Sequence, residues 1–354
     1  MPFSFVAPDG RVPHNLFDDR DFASQRAFFT RRPHLAATPL HDCPGLAAVV
    51  GVDTMLVKDE TSRFGLNAFK AVGAMFAVGT LVEQGRISAG DTLVCASEGN
   101  HGRAVARAAR DAGCSACVYV SDTVAGTRVA AIESEGATVV PVQGTYDEAV
   151  KTMASDAATR GWTIISDTSW AGYEEVPRLI MLGYTRLFDE AEQAWLPGRP
   201  PDAMFVPGGV GGLLAAAACW CEWRYGAARP SVVGVEPTAA ACLQLSARQG
   251  RPTAVSGPFD TVMGGLRCGE VSPLAFGATH TLVDRYVAVE DTLAFEAMRL
   301  LARPRGDDPV IQCGPSGAAA LAGVLALPRD YKRVMVLVTE GMTDPALFGR
   351  ALGC

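Results

Sequence analysis

Along most of this chain, short apolar runs bounded by glycine and polar residues alternate with longer segments whose apolar residues recur at helical spacing. Residues 55–58, 92–96, 116–120, 138–142, 163–165, 203–206, 232–235 and 334–338 read as strands. Helices are expected over 67–83, 102–112, 126–134, 146–159, 176–194, 212–225 and 316–325; in the first of these Ala71, Ala74, Met75, Val78 and Val82 share the helical period. Strands alternating with helices of about 10–15 residues imply βαβ units, an α/β fold and a mainly parallel sheet. Right-handed crossovers then place the loops that follow the strands on one edge, where ligands bind in open α/β sheets. Leu196-Pro-Gly-Arg-Pro-Pro201 reads as a linker between two such stretches, and residues 250–285, rich in Gly, Pro and Thr, as an irregular excursion near the mouth of the site.

With 354 residues the chain is long enough for two domains with their own cores, and 49% hydrophobic against 19% charged residues excludes a disordered chain. A net charge of -7 without any basic run gives no reason to expect nucleic acid or an anionic membrane surface as partner. No apolar stretch reaches the ~18 residues of a spanning helix. Residues 1–10 have neither a charged nor an apolar signal region, so a cytoplasmic location is expected. The ten cysteines then read as reduced thiols, mostly small core residues. Cys114-x-x-Cys117 has no second pair at zinc spacing, Glu290-Asp291 reads as a helix start, and no metal ligands are assigned.

Four strand ends carry the residues with chemistry. Pro207-Gly208-Gly209-Val210-Gly211-Gly212 follows an apolar strand and opens a helix, so its backbone amides can approach an anion, with the helix dipole adding to the attraction. It lacks the Gly-Lys-Ser/Thr ending of a nucleotide-triphosphate loop; Glu236, some way downstream, imitates the acidic residue of a dinucleotide site. Ser97-Glu98-Gly99-Asn100-His101-Gly102 ends the 92–96 strand. There Asn100 can donate to a ring hydroxyl, the amides at the helix start can hold a carboxylate, and Glu98 is a candidate acid or base. His101 reads first as a packed, hydrogen-bonded side chain. Ser166-Asp167-Thr168-Ser169-Trp170 offers a carboxylate for an ammonium, and Thr339 after the last strand offers a neutral hydroxyl for a ring nitrogen.

Lys70, behind Arg63-Phe-Gly-Leu-Asn-Ala-Phe69, has the apolar neighbours Phe69, Ala71 and Val72 that help an amine lose its charge. Its rival Lys58 adjoins Asp59 and Glu60, which would keep it charged. An amine for a Schiff base, an amide beside a ring and a backbone cradle for a phosphate are together the parts that hold pyridoxal 5'-phosphate. The site carried forward is thus Lys70, Glu98 and Asp167 for catalysis. Lys70, Phe69, Asn100, Gly208, Gly209, Val210, Gly211, Gly212 and Thr339 are expected on the cofactor, and Ser97, Glu98, Gly99, His101 and Asp167 on the substrate.

These motifs resemble the fold-type II, tryptophan-synthase-like enzymes that use pyridoxal phosphate. The resemblance is closest to the diaminopropionate ammonia-lyases, through Lys58-Asp-Glu-Thr-Ser-Arg-Phe-Gly-Leu-Asn-Ala-Phe-Lys70, Glu98-Gly-Asn-His-Gly102, Asp167-Thr-Ser-Trp-Ala-Gly-Tyr-Glu174, Met263-Gly-Gly-Leu-Arg-Cys-Gly-Glu270 and Thr339-Glu-Gly-Met-Thr-Asp-Pro345. It implies a large twisted sheet domain from residues 1–89 and 172–354, a smaller α/β domain inserted at 90–171, the cofactor between them, and a homodimer. It implies α,β-elimination of 2,3-diaminopropionate, or of a close β-substituted alanine, to pyruvate and ammonia. Lys70 would be the base for one enantiomer, the residue before Gly-Asn-His-Gly the base for the other, and Asp167 the receiver of the substrate amine. That second base is an aspartate in the family and Glu98 here. Extended, its extra methylene would carry the carboxylate about 1.5 Å further out, and a misplacement of about 1 Å can cost about a hundredfold in rate. Unequal handling of the enantiomers is therefore expected. The alternatives are a β-replacement synthase or a hydroxy-amino-acid dehydratase working through the same aminoacrylate, and, from another class, a cofactor-binding protein without turnover.

Overall fold

The computed structural model describes the chain except residues 1–3, 9, 11, 13, 98, 123, 145, 196–198, 328–329 and 354, and the side chains of 146–147. Among the described residues are the strands β1 (Ser4–Val6), β2 (Leu40–Asp42), β3 (Thr54–Asp59), β4 (Thr92–Ala96), β5 (Ser115–Ser121), β6 (Thr138–Val142), β7 (Thr163–Ile164), β8 (Ala203–Pro207), β9 (Ser231–Pro237), β10 (Arg285–Val289) and β11 (Arg333–Val338). The chain divides into two compact units: residues 1–23, 34–69 and 184–354, and residues 24–33 and 70–183.

The larger unit contains a seven-stranded sheet in the order β1-β10-β9-β8-β11-β3-β2. Its inner pairs are parallel, and only the edge strands β1 and β2 run antiparallel to their neighbours. Strands of a parallel sheet are covered on both faces and so read as continuous apolar runs. Ala203-Met-Phe-Val-Pro207 and Val334-Met-Val-Leu-Val338 are such runs, and every one of these residues is buried. Val57, Phe205, Val235, Val287 and Val336 pack with Ala294, Met298, Ala318 and Leu321 of the helices Asp291–Ala302 and Pro315–Ala326. Gly323 lets the second helix lie directly on the sheet, since a Cβ there would come within 2.5 Å of Val235 Cγ2.

The smaller unit contains an all-parallel sheet in the order β6-β5-β4-β7. Val94, Ala96 and Tyr119 pack against Ala149, Met153 and Ala157 of the helix Tyr146–Arg160.

β4, β6 and the helix Gly212–Tyr225 coincide with the sequence expectation. Elsewhere it needs correction. The helix expected from residue 67 begins at Lys70, because Phe64 (φ 51°) and Asn67 (φ 59°) take left-handed backbone that a helix cannot continue. The segment 176–194 is two helices, Glu175–Tyr184 and Arg186–Ala194. The excursion at 250–285 contains the helix Pro273–Leu282, with proline in its first turn. The smaller unit consists of residues 24–33 and 70–183, and the expected inserted domain, 90–171, falls within it. The first half of the expected linker, 196–198, lies outside the described residues. No helix among the described residues is long and apolar enough to cross a membrane.

Candidate functional site

In the smaller unit, the C-terminal ends of β4 and β7 bring three expected residues together. Lys70, the first residue of the helix Lys70–Glu83, donates from Nζ to Asp167 Oδ2, and the two side chains are 22% and 16% exposed. Asp167 lies in the segment that leaves β7. That segment is tied by Tyr173, whose hydroxyl donates to Ile164 O at 2.8 Å and accepts from Ser166 N at 2.9 Å. Trp170 stacks on the Tyr173 ring at 4.1 Å. His101, in the helix Asn100–Asp111, is 5% exposed and donates from Nε2 to Ile165 O at 2.8 Å. Its Nδ1 is buried without a hydrogen-bond partner among the described residues, 3.9 Å from Asp167 Oδ2.

The electrostatics follow from burial and from the one ammonium. Burial pushes the His101 imidazole below its ordinary value, and Lys70 adds to this against the opposing pull of Asp167, so the ring is neutral at pH 7. For Asp167 burial acts upward, but His101, Lys70 and the Lys70 hydrogen bond together hold it well below the usual carboxylate range. The pull of His101 requires a charged imidazole; on the neutral ring it falls away, and the Lys70 ammonium is the charge that holds Asp167 ionised.

Ser97 binds the backbone of its own turn. Its Oγ accepts from Gly102 N at 2.9 Å and Gly99 N at 3.4 Å, and so ties down the start of the Asn100–Asp111 helix. Gly102 is required by packing, since a Cβ there would meet Val118 Cγ1 at 2.8 Å. Asn100 is the first residue of that helix and half-buried. Glu98 lies outside the described residues.

The larger unit assembles the other expected set. β8 and β11 are neighbours in parallel register, so the glycine loop after Pro207 and Thr339 after Val338 leave the same sheet edge. Gly211 (φ 101°) needs the left-handed backbone, and as N-cap of the helix Gly212–Tyr225 it supplies no side-chain cap. A Cβ on Gly208 would meet Leu243 Cδ1 at 2.6 Å, and one on Gly209 would meet Cys268 Sγ at 3.0 Å. Val210 is anchored through its carbonyl, which accepts from Ser272 N at 2.9 Å. Glu236 is fully buried, with its carboxylate accepting from Leu243 N and Gln244 N at 2.7 and 2.8 Å; it caps the helix Cys242–Gln249 and does not serve a dinucleotide. Thr339 is buried, donates from Oγ1 to Ser316 O at 3.4 Å, and accepts at its carbonyl from Phe69 N at 3.0 Å. Gly341 N donates to Asn67 O at 2.8 Å, so the segment 67–69 lies along 339–341. A cavity of about 360 Å³ opens there, lined by Thr61, Asn67, Val310, Gln312, Gly341 and Met342.

The rival lysine is fully engaged elsewhere. Lys58 is completely buried, donating to Thr38 O and to Glu190 Oε2, each at 2.8 Å, with Glu60 Oε1 at 3.3 Å. Arg63 joins both carboxylates, and Arg186 reaches Glu190 Oε1 at 2.8 Å. Sequence reasoning missed the cluster and Ser316 because they work through partners distant in the chain, and Tyr173 because a phenol tied to nearby backbone leaves no periodic pattern. The one available signal was Tyr173 within Asp167-Thr-Ser-Trp-Ala-Gly-Tyr173.

These residues fit pyridoxal phosphate. The first-turn amides of Gly212–Tyr225 have no side-chain cap and follow a loop whose glycines admit no Cβ toward Leu243, a backbone cradle suited to a phosphate. Residues 31–340 match the family model described as pyridoxal-phosphate dependent enzyme. The chain is 34% identical to the diaminopropionate ammonia-lyase of Escherichia coli K12, over 93% of this chain and 90% of that protein. It is 27% identical to a biosynthetic L-threonine dehydratase of Mycobacterium leprae, over 97% and 76%. The crystal structure of the Escherichia coli diaminopropionate ammonia lyase in complex with an aminoacrylate-PLP azomethine reaction intermediate matches with a TM-score of 0.89 and 32% identity, covering 99% of this chain and 96% of that one.

Proposed function

The chain belongs to the pyridoxal-phosphate-dependent enzymes, and from that membership we propose that it is a carbon–nitrogen lyase that converts 2,3-diaminopropionate, or a close β-substituted alanine, to pyruvate and ammonia. Its fold is that of the fold-type II enzymes and its cofactor is pyridoxal 5'-phosphate. The observation that carries the activity is the Lys70–Asp167 pair, an amine and a carboxylate meeting at the ligand edge of β4 and β7. Lys70 would hold the cofactor's carbonyl carbon, and Gly208, Gly209, Val210, Gly211 and Gly212 its phosphate through backbone N–H groups. Asn100 would serve its ring hydroxyl, Thr339 its ring nitrogen, and Phe69 its surroundings. When bound, the cofactor supplies an electron sink at the substrate's α-carbon.

The protein's own groups do the rest. Lys70 Nζ, once uncharged, takes the α-proton of one enantiomer, and Glu98 takes that of the other. Asp167, held ionised, receives the substrate ammonium. The amides of Gly99, Asn100 and His101, at the helix start fixed by Ser97, face the substrate carboxylate. The purified protein should form pyruvate with 2,3-diaminopropionate while its visible cofactor band shifts. Pyruvate from neither enantiomer would end this reading.

The similarity to a threonine dehydratase favours a second reading, a hydroxy-amino-acid dehydratase or a β-replacement synthase. Mass spectrometry separates them: elimination leaves a keto acid, whereas replacement leaves an enlarged amino acid. We further read the protein as a cytoplasmic homodimer. Cysteines kept as thiols, such as the buried Cys43, Cys95 and Cys313, suit a reducing compartment, and light scattering on the purified protein should return twice the chain mass.

A further inference from the structure

The unpartnered nitrogen of His101 is the one feature of the site that the lyase reading leaves without a task. Ile165 O can only accept, so Nε2 carries the proton in that hydrogen bond, and Nδ1 presents a bare lone pair. Nδ1 is buried, has no donor within hydrogen-bond reach among the described residues, and lies 3.9 Å from Asp167 Oδ2. That separation is too long for a bond between the two and short enough for one donor with several N–H groups to reach both. A buried acceptor left unmet destabilises the fold, which gives the site a standing preference for a ligand that fills it. Lys70 occupies the Asp167 side of this pair as an ammonium, and so shows which charge the pair accepts.

We propose that His101 Nδ1 and the Asp167 carboxylate together receive the β-ammonium of the substrate, and that His101 thereby sets a preference for β-amino over β-hydroxy amino acids. The proposal rests on the lyase reading above and names its substrate class. An ammonium can donate to both acceptors at once, whereas a hydroxyl has a single hydrogen and leaves one of them unmet. The stoichiometry agrees. In the elimination the α-proton goes to the base, a Cα–Cβ double bond forms, and the Cβ–N bond breaks with its electron pair on nitrogen. A protonated β-nitrogen then departs as neutral ammonia. A carboxylate and a neutral imidazole acceptor keep that nitrogen protonated until the bond breaks.

The decisive variant is His101→Gln. The glutamine amide nitrogen reaches as far as Nε2 and can keep the bond to Ile165 O, while nothing stands in place of Nδ1. In the holoenzyme kcat/KM for 2,3-diaminopropionate should fall about 10–100 times further than for β-chloroalanine, whose leaving group carries no hydrogen. The second readout is equilibrium binding. His101→Gln should weaken α-methyl-2,3-diaminopropionate, which has no α-proton to lose, by a similar factor relative to α-methylserine. His101→Asn, which keeps a polar atom near Nδ1 and loses the Ile165 bond, should lower the melting temperature yet retain the β-amino preference. Equal losses for both substrates and both ligands in His101→Gln would make His101 a packing residue and overturn the proposal. Wild-type protein that eliminates from β-chloroalanine but not from 2,3-diaminopropionate would overturn the lyase reading instead, and the binding ratio would still decide the role of His101.

Discussion

Two lysines compete on paper for one role, and their surroundings separate them. Lys58 is completely buried among Thr38, Glu60 and Glu190, which fix it as a structural group. Lys70 keeps a partly exposed ammonium on Asp167. Replacing Lys70 by alanine should abolish the visible cofactor band and lower pyruvate formation by at least about 10²–10⁴-fold, the usual worth of a positioned base; spectra and pyruvate assays on the same sample check both effects. Glu98→Asp is the complementary case. Shortening that side chain should raise turnover of the slower enantiomer about tenfold or more while leaving the faster one within about twofold, as separate assays with L- and D-2,3-diaminopropionate would show. Lys70 and Asp167 were legible in the sequence because each follows an apolar strand or a glycine-bearing turn. The open nitrogen of His101 was not, because it depends on which carbonyl the other ring nitrogen takes, and Ile165 is 64 residues away.

Among the elements, the short segment from Ile164 to Tyr173 has the most influence on the chemistry. Two hydrogen bonds to one phenol hold it, and Trp170 covers the ring. Tyr173→Phe keeps the stacking and strips Ser166 N and Ile164 O of their partner, a loss of about 1–3 kcal/mol. The variant should melt at lower temperature and lose about tenfold or more in kcat/KM as Asp167 drifts, with the cofactor band intact because Lys70 is untouched. Activity equal to the wild type would mean that the placement of Asp167 does not depend on the Tyr173 hydrogen bonds. The elements legible in the sequence are those with self-contained patterns: β4, β6 and Gly212–Tyr225, each an apolar run closed by its own glycine or polar boundary. The start of the Lys70–Glu83 helix was misplaced because apolar periodicity does not register the left-handed Asn67. The helix Pro273–Leu282 was hidden by flanking Gly and Pro residues that resemble a loop, although proline belongs in a first turn.

At the scale of the molecule, the larger unit is joined internally by charge as well as by its apolar sheet. Lys58 at the end of β3, Glu60 and Arg63 in the turn after it, Thr38 before β2, and Arg186 and Glu190 in the helix Arg186–Ala194 form one buried ionic cluster. It fixes the turn that leads to residues 67–69. Burial acts upward on the Glu190 carboxyl, but Arg63 and Lys58 prevail and bring it down to about 2 from 4.5. A carboxyl that is more acidic folded than unfolded stabilises the fold fully above its unfolded value, and that stability is lost as the pH falls through the folded value. The shift corresponds to about 3 kcal/mol, present at pH 7 and lost between about pH 4.5 and 2. Glu190→Gln removes the charge and leaves Arg63 and Lys58 short of a partner, so it should cost about 3–5 kcal/mol at neutral pH. The gap to the wild type should stay constant down to about pH 5, narrow through the acid window, and close near pH 2, where the wild-type carboxyl also becomes neutral. Urea unfolding of both proteins across that range measures the gap directly; carboxylates remote from Glu190 cancel in the difference, whereas Glu60, whose carboxyl Glu190 pushes upward, does not. A gap that holds constant into acid would assign the stabilisation to side-chain shape, whereas a closing gap assigns it to the charge on Glu190.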